Sequence, residues 1–400
     1  MTDSAGELAR PSEGMITVTG NTTGSDTIRL GIIGTGLAVE KLHWPALKRM
    51  TDRYRVVAFC DIERSHAEHF ASYSGASMDD FTTDHHDLLR RDDVDTVLIS
   101  LPISLNYPVT RDALEAGKHV ICEKPSGANA EEMNAFVDLE RQHPDLSVLI
   151  AENWFYRDDL RFSRSLLDDH AIGRVHLVAW RNVSQLIPRE GEFSSTPWRH
   201  HADYVGGPQL DAGVHNTAQI RLLCGDVDRL AGAIEDANTT HNGPSDLTLT
   251  LNFVSGAIGS YAASYPELAV PGEANDMRLY GTDGVMTIGR EGTRIYRPDG
   301  SVEHWKVRQP DAGYYNEFLN FHQALTGDAP LIGSVAQSVR NMELITQGLA
   351  SAEQGTVMKT AEGPTELSVT AVPLWKPAGA DGLFDGLDVE VTHEVTHQER

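Results

Sequence analysis

The sequence predicts an α/β protein in which a parallel sheet, covered by helices on both faces, is followed by an α+β domain with a mostly antiparallel sheet. Short apolar runs alternate with helix-like runs between residues 28 and 150, a pattern typical of a parallel sheet. After about residue 151, strand-like runs follow one another at short spacing. The 400 residues suffice for two cores, since a single core stops growing near roughly 250–300 residues.

The elements of the first domain are predicted from its apolar runs and the residues that interrupt them. The β-branched run Ile28 to Ile33 predicts the first strand, and the stretch after its glycine turn predicts a helix to about Met50. Gly117 follows a helical pattern and provides a common left-handed helix end. Further strands are predicted at 55–60, 96–101, 119–122 and 147–151, and further helices at 61–72, 106–116 and 129–142.

The second domain begins where this alternation stops. Residues 247–251 read Leu-Thr-Leu-Thr-Leu, and such alternation indicates a strand with one buried face. Turn signals at 255–256 and 298–300 separate neighbouring strands. Strands are predicted at 175–183, 247–253, 257–263, 277–280 and 285–288, and helices at 315–325 and 335–352 are expected to pack toward the first domain.

Both ends of the chain are predicted to lie outside these domains. Residues 1–27 are rich in Ser, Gly and Thr and lack the basic start and apolar stretch of a signal peptide, so they are predicted to form a flexible arm. Residues 361–400 are acidic and weakly periodic, which predicts a tail. The predicted organisation is an arm over 1–27, a first domain over 28–150, a second domain over 151–360 and an acidic tail over 361–400.

The amino-acid composition argues against some classes of binding partner and bears on the cellular environment. Asp and Glu number 58 against 33 Lys and Arg, a net charge of -25, which argues against nucleic acid. No apolar run approaches the roughly 18 residues that a membrane helix needs. Three widely spaced cysteines favour a reducing cytoplasm over a disulfide framework. The acidic balance, with only seven lysines, has two explanations that stay open: a salt-rich, halophilic host or simple solubility.

A glycine turn predicts the cofactor end of the protein. Gly34 and Gly36 follow the first strand and leave bare backbone for a pyrophosphate, although Val39 replaces the usual third Gly or Ala. Asp61, at the end of the second strand, suits the ribose hydroxyls of NAD, and the alternative is a helix N-cap. Arg64, three residues later, would suit the 2′-phosphate of NADP.

Two further motifs predict the reacting end. Lys124 follows a strand and precedes Pro125, so its side chain is aimed where a substrate oxygen gains negative charge. Glu123 either orients Lys124 or contacts the cofactor. Asp211 and His215 are four residues apart and share a face if both lie on one helix. A histidine, with an ordinary pKa near roughly 6.5, can take a hydroxyl proton while hydride leaves the same carbon.

These motifs together resemble the Gfo/Idh/MocA family of sugar and cyclitol oxidoreductases over about residues 28 to 360. The lysine block is the most specific part of the resemblance. The matching segments are 34–36 (GTG), 43–47 (HWPAL), 113–125 (ALEAGKHVICEKP), 152–157 (ENWFYR), 198–199 (WR) and 206–215 (GGPQLDAGVH).

The resemblance implies a Rossmann dinucleotide-binding domain joined to an open-faced antiparallel sheet that often mediates dimers or tetramers. It implies an NAD-dependent, or alternatively NADP-dependent, dehydrogenase or reductase for a secondary alcohol or carbonyl of a sugar or cyclitol, with Lys124, Asp211 and His215 as the catalytic group. Cofactor contacts are expected from Gly34, Gly36, Leu37, Asp61, Arg64, Pro102, Glu123 and Lys124, and substrate contacts from Tyr156, Arg157, Trp198 and His215. No metal is expected.

The sequence also departs from the family pattern and leaves other functions open. Asn106 stands where a histidine is common, and Asp158-Asp159-Leu160 replaces the usual aromatic residue and proline after Arg157. Alternative functions are a sugar-to-sugar oxidoreductase or an NAD-assisted glycosidase with tightly bound cofactor, and a non-catalytic NAD or sugar sensor. Tyr156 and Trp198 can stack on a sugar ring or belong to the core.

Histidine-rich motifs elsewhere are interpreted as incidental. Residues 393–397 read His-Glu-Val-Thr-His, which matches a zinc-protease pattern, but the segment is rich in β-branched residues and lies in the predicted tail. The pairs at 85–86 and 200–201 are adjacent residues, whose side chains point in different directions on a helix or strand. They are predicted to be solvated or capping residues, with one of the second pair able to reach the substrate.

Overall fold

The computed structural model describes residues 27–268, 275–327, 329–360, 371–377, 379–380, 382–383 and 387–395. The predicted N-terminal arm therefore lies outside the described residues, apart from Thr27. Two sheets dominate the described part of the chain, one in each half.

Within the described residues the first sheet has six parallel strands, in the order β3-β2-β1-β4-β5-β6. Its strands are β1 Ile28–Ile33, β2 Tyr54–Cys60, β3 Phe81–Thr82, β4 Thr96–Ile99, β5 His119–Glu123 and β6 Val148–Ala151. Its helices are a π-helical turn Val39–His43, α1 Trp44–Leu47, α2 Arg64–Ser74, α3 His85–Leu89, α4 Asn106–Glu115 and α5 Ala130–Gln142, with 3-10 turns at Met78–Asp80 and Ile103–Leu105. This strand order reverses between β1 and β4, where doubly wound sheets bind ligands.

The second sheet joins ten strands of the described residues in the order β15-β8-β9-β10-β7-β11-β12-β13-β14-β16. They are β7 Val175–Val183, β8 Val227–Glu235, β9 Asp246–Phe253, β10 Ile258–Ser264, β11 Met277–Gly281, β12 Val285–Gly289, β13 Gly292–Tyr296, β14 Ser301–Val307, β15 Met358–Lys359 and β16 Val389–Val395. The helices of this half are α6 Asp158–Asp168, α7 Pro197–His200, α8 Pro208–Asp211, α9 Gly213–Cys224, α10 Tyr314–Thr326 and α11 Val335–Gln354, with 3-10 turns at Asn153–Tyr156 and Phe193–Ser195.

The second sheet is antiparallel except where β10 runs parallel to β7. In β9 the leucines at 247, 249 and 251 are buried while Thr248 and Thr250 are exposed, so one face of the strand is covered and the other is open. The predicted fold class, a parallel sheet followed by a mostly antiparallel one, is confirmed.

Two C-terminal helices tie the halves together, as the sequence predicts. Phe318 and Phe321 of α10 pack in one core cluster with Leu30 and Ile32 of β1. On the other face of the first sheet, α11 joins the cluster of β4 and β5 through Val339. The first sheet is therefore covered on both faces partly by helices from the far end of the chain.

The prediction of a tail after residue 361 is wrong for the residues described there. Val372 and Trp375 are buried in the core of the second half, and Arg161 donates to the Trp375 carbonyl at 2.6 Å from Nη2. Val389–Val395 pairs along its whole length with β14. Strand β16 lies at the edge of the sheet and contacts little of the core. Few of its described side chains are buried, so the segment needs no long apolar run. No helix in the described residues is both long and apolar enough to cross a bilayer.

Candidate active site

A cavity of about 1070 Å³ lies at the carboxyl edge of the first sheet, against residues of the second half. Its walls come from the turns after β1, β2, β4 and β5, from the segment around α7, and from α8 and α9. Ligands of doubly wound sheets bind at this edge. Of the predicted site residues, those that line the cavity are Gly34, Gly36, Leu37, Asp61, Pro102, Glu123, Lys124, Trp198, Asp211 and His215.

The glycine turn leaves backbone open to the cavity. Gly34 has φ +88°, and a Cβ there would lie 2.2 Å from the Ser100 carbonyl oxygen, so only glycine fits. At Gly36 a Cβ would meet no atom within 4 Å, which leaves that side of the turn free for a ligand. Val39, at the third position of the fingerprint, is fully buried and begins the π-helical turn. The turn can therefore accept a group that needs close contact with bare backbone.

Asp61 closes this turn instead of capping the next helix. Its Oδ2 accepts from the Thr35 backbone N–H at 2.8 Å and from the Thr35 hydroxyl at 3.0 Å. Its Oδ1 accepts from the Glu63 N–H at 2.9 Å, and the N-cap residue of α2 is Glu63. The N-cap alternative for Asp61 is wrong, and the residue lines the cavity beside the glycine turn.

Arg64 does not line the cavity. Its side chain is exposed and donates to Glu68 one helical turn away, at 2.8 Å. An ion pair at i,i+4 on an exposed helix surface draws the guanidinium along α2 and away from Asp61. The lining near Asp61 contains Glu63 and also His66, whose Nδ1 lies 3.4 Å from Asp61 Oδ1. The carboxylates of Asp61 and Glu63 disfavour a 2′-phosphate there. The glycine turn and the Asp61 carboxylate fit NAD better than NADP.

Lys124 and Asp211 form an ion pair inside the cavity. Lys124 Nζ donates to Asp211 Oδ1 at 3.0 Å and to the Asp211 backbone oxygen at 2.5 Å. Arg199 Nε donates to the other carboxylate oxygen at 2.6 Å. Burial alone raises the pKa of Asp211, but the charges of Lys124 and Arg199 outweigh it and hold that pKa well below the ordinary range. In the sequence, the only sign that Arg199 takes part in this ion pair is that it lies in segment 198–199, one of the segments that resemble the family.

His215 is oriented by Glu152 and not by Asp211. Its Nδ1 lies 2.7 Å from Glu152 Oε1, and the Glu152 side chain is 1% exposed. Asp211 ends α8 and His215 lies in α9, so the expectation of one helix face is wrong, although both side chains reach the same cavity. Because Nδ1 faces a carboxylate, it carries the proton, and Nε2 is left as the base.

The ring of His215 is also held by stacking. Trp154 lies parallel to it, with ring centroids 5.4 Å apart and an interplanar angle of 12°. The Arg157 guanidinium covers the indole of Trp154 with its carbon 4.8 Å from the ring centroid, and it pairs with Asp159 at 2.7 Å. Arg157 therefore supports this stack without lining the cavity, which corrects its predicted contact with substrate.

Glu123 orients the lysine loop. Its Oε1 lies 2.7 Å from His43 Nε2, and its Oε2 accepts from the Lys124 backbone N–H at 3.2 Å. Burial raises the pKa of Glu123, but the hydrogen bond with His43 and the charges of His43, Lys124 and His215 together outweigh burial and lower the pKa below its ordinary value. Asn106, where a histidine is common in the family, donates to the carbonyls of Glu123 at 2.9 Å and Pro125 at 3.0 Å. Asn106 thus supports the loop that carries Lys124.

The aromatic candidates divide between core and cavity. Tyr156 is fully buried, donates to Asn320 Oδ1 at 2.8 Å and accepts from the Gly333 N–H, so it is a core residue and the predicted substrate contact is wrong. Trp198 lines the cavity, packs edge-on against Tyr204 and lies under Arg199. His200 Nε2 contacts the Ser194 carbonyl at 2.8 Å and supports the cavity wall from behind.

Of the other histidine motifs, the pair at 85–86 contributes one residue, His85, to the wall of the cavity. His393 lies in the edge strand β16, and His397 lies outside the described residues. His85 and His86 do not diverge as predicted: their ring centroids are 4.0 Å apart, and both rings approach Asp112. Their ligand atoms and those of Asp84 lie within 4.8 Å of one another. Each ring already contacts a carboxylate, and Asp84 caps α3.

Comparison with known proteins identifies the family. The profile described as an oxidoreductase family with an NAD-binding Rossmann fold matches residues 28–150, and the GFO/IDH/MocA C-terminal domain matches residues 160–287. The crystal structure of an oxidoreductase from Thermotoga maritima is 30% identical, with a TM-score of 0.76, and covers 84% of this chain and 99% of its own.

Two curated relatives carry more specific names. A dTDP-3,4-didehydro-2,6-dideoxy-alpha-D-glucose 3-reductase from Streptomyces violaceoruber is 32% identical over 54% of this chain and 63% of its own length. The D-glucoside 3-dehydrogenase of Escherichia coli is 29% identical over 48% of this chain and 52% of its own. The resemblance inferred from the motifs is confirmed: the chain belongs to the Gfo/Idh/MocA family of NAD-binding oxidoreductases.

Proposed function

We propose that the protein oxidises a secondary alcohol of a neutral pyranose sugar or its glycoside, or reduces the corresponding ketone, with NAD as the hydride carrier. The observation that carries the proposal is that Lys124 and His215, from different domains, line one cavity beside the glycine turn. A base and a fixed positive charge on the same carbon–oxygen unit are what hydride transfer from an alcohol requires.

His215 removes the hydroxyl proton at Nε2. Its Nδ1–H donates to Glu152, and this carboxylate stabilises the imidazolium that forms. Gly34, Gly36 and Asp61 are the residues that would hold NAD, which would supply the hydride acceptor. The stack on Trp154 limits rotation of the ring, so the base stays aimed at the hydroxyl.

Lys124 supplies the electrostatic part of the reaction. An ammonium has three donors, and two of them are committed to Asp211, which leaves one for the substrate oxygen. That donor stabilises the oxygen as it loses its proton. Asp211, which is itself held by Arg199, fixes the position of the Lys124 ammonium group. We therefore assign Asp211 a positioning role.

The residues that line the cavity near His215 favour a substrate with an uncharged sugar ring. Among the described lining residues near His215, the cations Lys124 and Arg199 are both paired with Asp211, which leaves little free positive charge for a phosphate or a carboxylate. Trp198, Tyr204 and Phe193 offer aromatic faces of the kind that pack against sugars. The two named relatives both react at carbon 3 of a hexose, and we propose carbon 3 as the reacting position here.

A substrate panel tests the proposal. NADH formation is followed at low and molar salt with methyl glucosides, inositols and sugar phosphates, each with NAD and with NADP, and the product is identified by NMR. We expect turnover of a neutral pyranoside with NAD and loss of turnover in Lys124→Met and His215→Asn. Lys48→Met, at an exposed lysine outside the cavity, is the matched control. Full turnover in either active-site variant contradicts the mechanism.

A second candidate, an enzyme that retains and recycles its cofactor, is favoured by one contact. The segment between β7 and α7 forms part of the cavity wall and contacts Lys41, whose Nζ donates to the Gly191 carbonyl at 2.5 Å and lies 3.5 Å from Glu192. A strap over the turn that receives the pyrophosphate would slow release of NAD. Stoichiometric NAD in protein purified by gel filtration supports this candidate, and cofactor-free protein with rapid NAD exchange contradicts it.

We also propose a domain division, an assembly and a location. Residues 28–150 are the nucleotide-binding domain and 151–360 the substrate and oligomerisation domain, with the open face of the second sheet forming a homodimer or homotetramer.

The cysteines at 60, 122 and 224 are unpaired, which fits a cytoplasm. The net charge of -25 fits a halophilic host. Light scattering, and unfolding across a salt series, test the assembly and the halophilic character.

A further inference from the structure

Behind the catalytic side chains lies a buried acid that the mechanism above does not use. Glu317, on α10, is fully buried, and neither oxygen of its carboxyl group has a hydrogen-bond partner among the described residues. An ionised carboxylate without a partner is too costly to bury, whereas a protonated one needs only an acceptor for its O–H.

The surroundings of Glu317 are acidic. His43 packs edge-on between Tyr314 and Phe318, with centroid distances of 5.6 and 5.7 Å, and Glu317 is one residue from Phe318 on the same helix. The titratable groups that interact with Glu317 are the acids Glu123, Glu152 and Asp311 and the tyrosines Tyr54, Tyr156 and Tyr314. Burial first, and then the charges of Glu123, Glu152 and Asp311, raise the pKa of Glu317 well above its ordinary value.

One acceptor in this region stands out. Glu152 uses Oε1 for both His215 Nδ1 and the Trp154 N–H, while its Oε2 is buried and has no partner among the described residues. A carboxylate oxygen is a stronger acceptor than a ring nitrogen such as His43 Nδ1, which also has no partner among those residues. Both carboxylate oxygens of Glu123 already have partners, His43 and the Lys124 N–H.

We propose that Glu317 is a neutral positioning residue whose carboxyl O–H donates, directly or through one buried water, to Oε2 of the Glu152 carboxylate that holds His215. A donor on Oε2 fixes the plane of the carboxylate and withdraws electron density from it. Glu152 then stabilises the protonated imidazole less strongly, which keeps His215 available as a base. The catalytic effect rests on the proposed function, whereas the protonation state of Glu317 does not.

Two substitutions separate this role from a merely structural one. Glu317→Gln keeps a neutral donor in nearly the same volume, so kcat should stay within roughly threefold and the acid limb of the pH profile should keep its position. Glu317→Leu removes the donor, so kcat should fall by roughly tenfold while KM changes little, because Glu317 does not line the cavity. The acid limb of kcat in Glu317→Leu should move to higher pH by roughly half a unit or more.

The outcomes that overturn the proposal are equally definite. A Gln variant as impaired as the Leu variant means that Glu317 acts by ionising, and a Leu variant with the wild-type pH profile means that Glu317 only fills space. Glu343→Gln, at another buried glutamate that pairs with Arg340, is the control for general loss of stability.

A direct readout covers the case in which the Leu variant does not fold or the wild type shows no turnover. Infrared spectra of the wild type and Glu317→Gln at neutral pH should differ by a protonated-carboxyl band that only the wild type shows. Absence of that band refutes a neutral Glu317 even if sugar oxidation is confirmed. Its presence, in a protein that oxidises no sugar, contradicts only the proposed function.

Discussion

Replacement of Glu152 by glutamine tests how His215 is held. The carboxylate lies 2.7 Å from His215 Nδ1 and is almost fully buried, so little water can replace it. Glutamine has similar size but no charge, and it can present its NH2 group to Nδ1 and so favour the wrong tautomer. The base would then carry its proton on Nε2, where the substrate proton must arrive.

The size of the effect follows from this hydrogen bond. A hydrogen bond to a charged group contributes about 1.5–3 kcal/mol, and each 1.36 kcal/mol corresponds to tenfold in rate. We therefore expect kcat to fall by roughly 10- to 150-fold in Glu152→Gln. KM should change little, because Glu152 lies behind His215 and does not line the cavity.

The assay is steady-state NADH formation across pH with the best pyranoside from the panel. Glu343→Gln is a matched control because Glu343 is equally buried but belongs to an ion pair with Arg340 in α11, away from the cavity. Its kcat should equal that of the wild type at temperatures where it is folded. A Glu152→Gln enzyme with kcat within twofold of the wild type refutes the reasoning.

Three further predictions address the glycine turn, the ion pair and the thiols. Gly34→Ala should lower both the melting temperature and NAD affinity, whereas Gly36→Ala should weaken NAD binding by roughly tenfold at little cost in stability, in calorimetry of both variants. Because the pKa of Asp211 is lowered on folding, its ion pairs stabilise the protein at neutral pH, and this contribution is lost as pH falls below about 4. The difference in unfolding free energy between wild type and Asp211→Asn should therefore shrink toward pH 2, as measured by urea unfolding. Burial raises the pKa of Cys122 to about 12, and this thiol does not line the cavity, so it should react with Ellman's reagent only after unfolding. Cys60 has the same raised pKa but lines the cavity, so it should react slowly in the folded protein and faster after unfolding.

The elements with strong local patterns could be predicted from sequence. Val175–Val183 and the alternating strand β9 could be predicted because a buried strand face requires apolar residues at regular positions in the sequence. The strand Val227–Glu235 was missed because its mixed burial erases that pattern. Gly292–Tyr296 was missed although its burial alternates, because it has only five residues and begins with a glycine. Strand β16 was missed because, among the described residues, it pairs with β14 alone and lies at the edge of the sheet, where few apolar residues are required.

The sequence by itself determined the types of candidate residue: glycines in a turn after the first strand, a lysine after a buried strand, and a histidine in the second half of the chain. These features can be recognised locally, because each depends on the backbone conformation or the side-chain type at one place in the chain. Only the tertiary structure decided which groups are partners. Glu152 holds His215, Arg199 shares Asp211 with Lys124, and Tyr156 is in the core. Partnership depends on distances between residues far apart in sequence, and no local pattern encodes those distances.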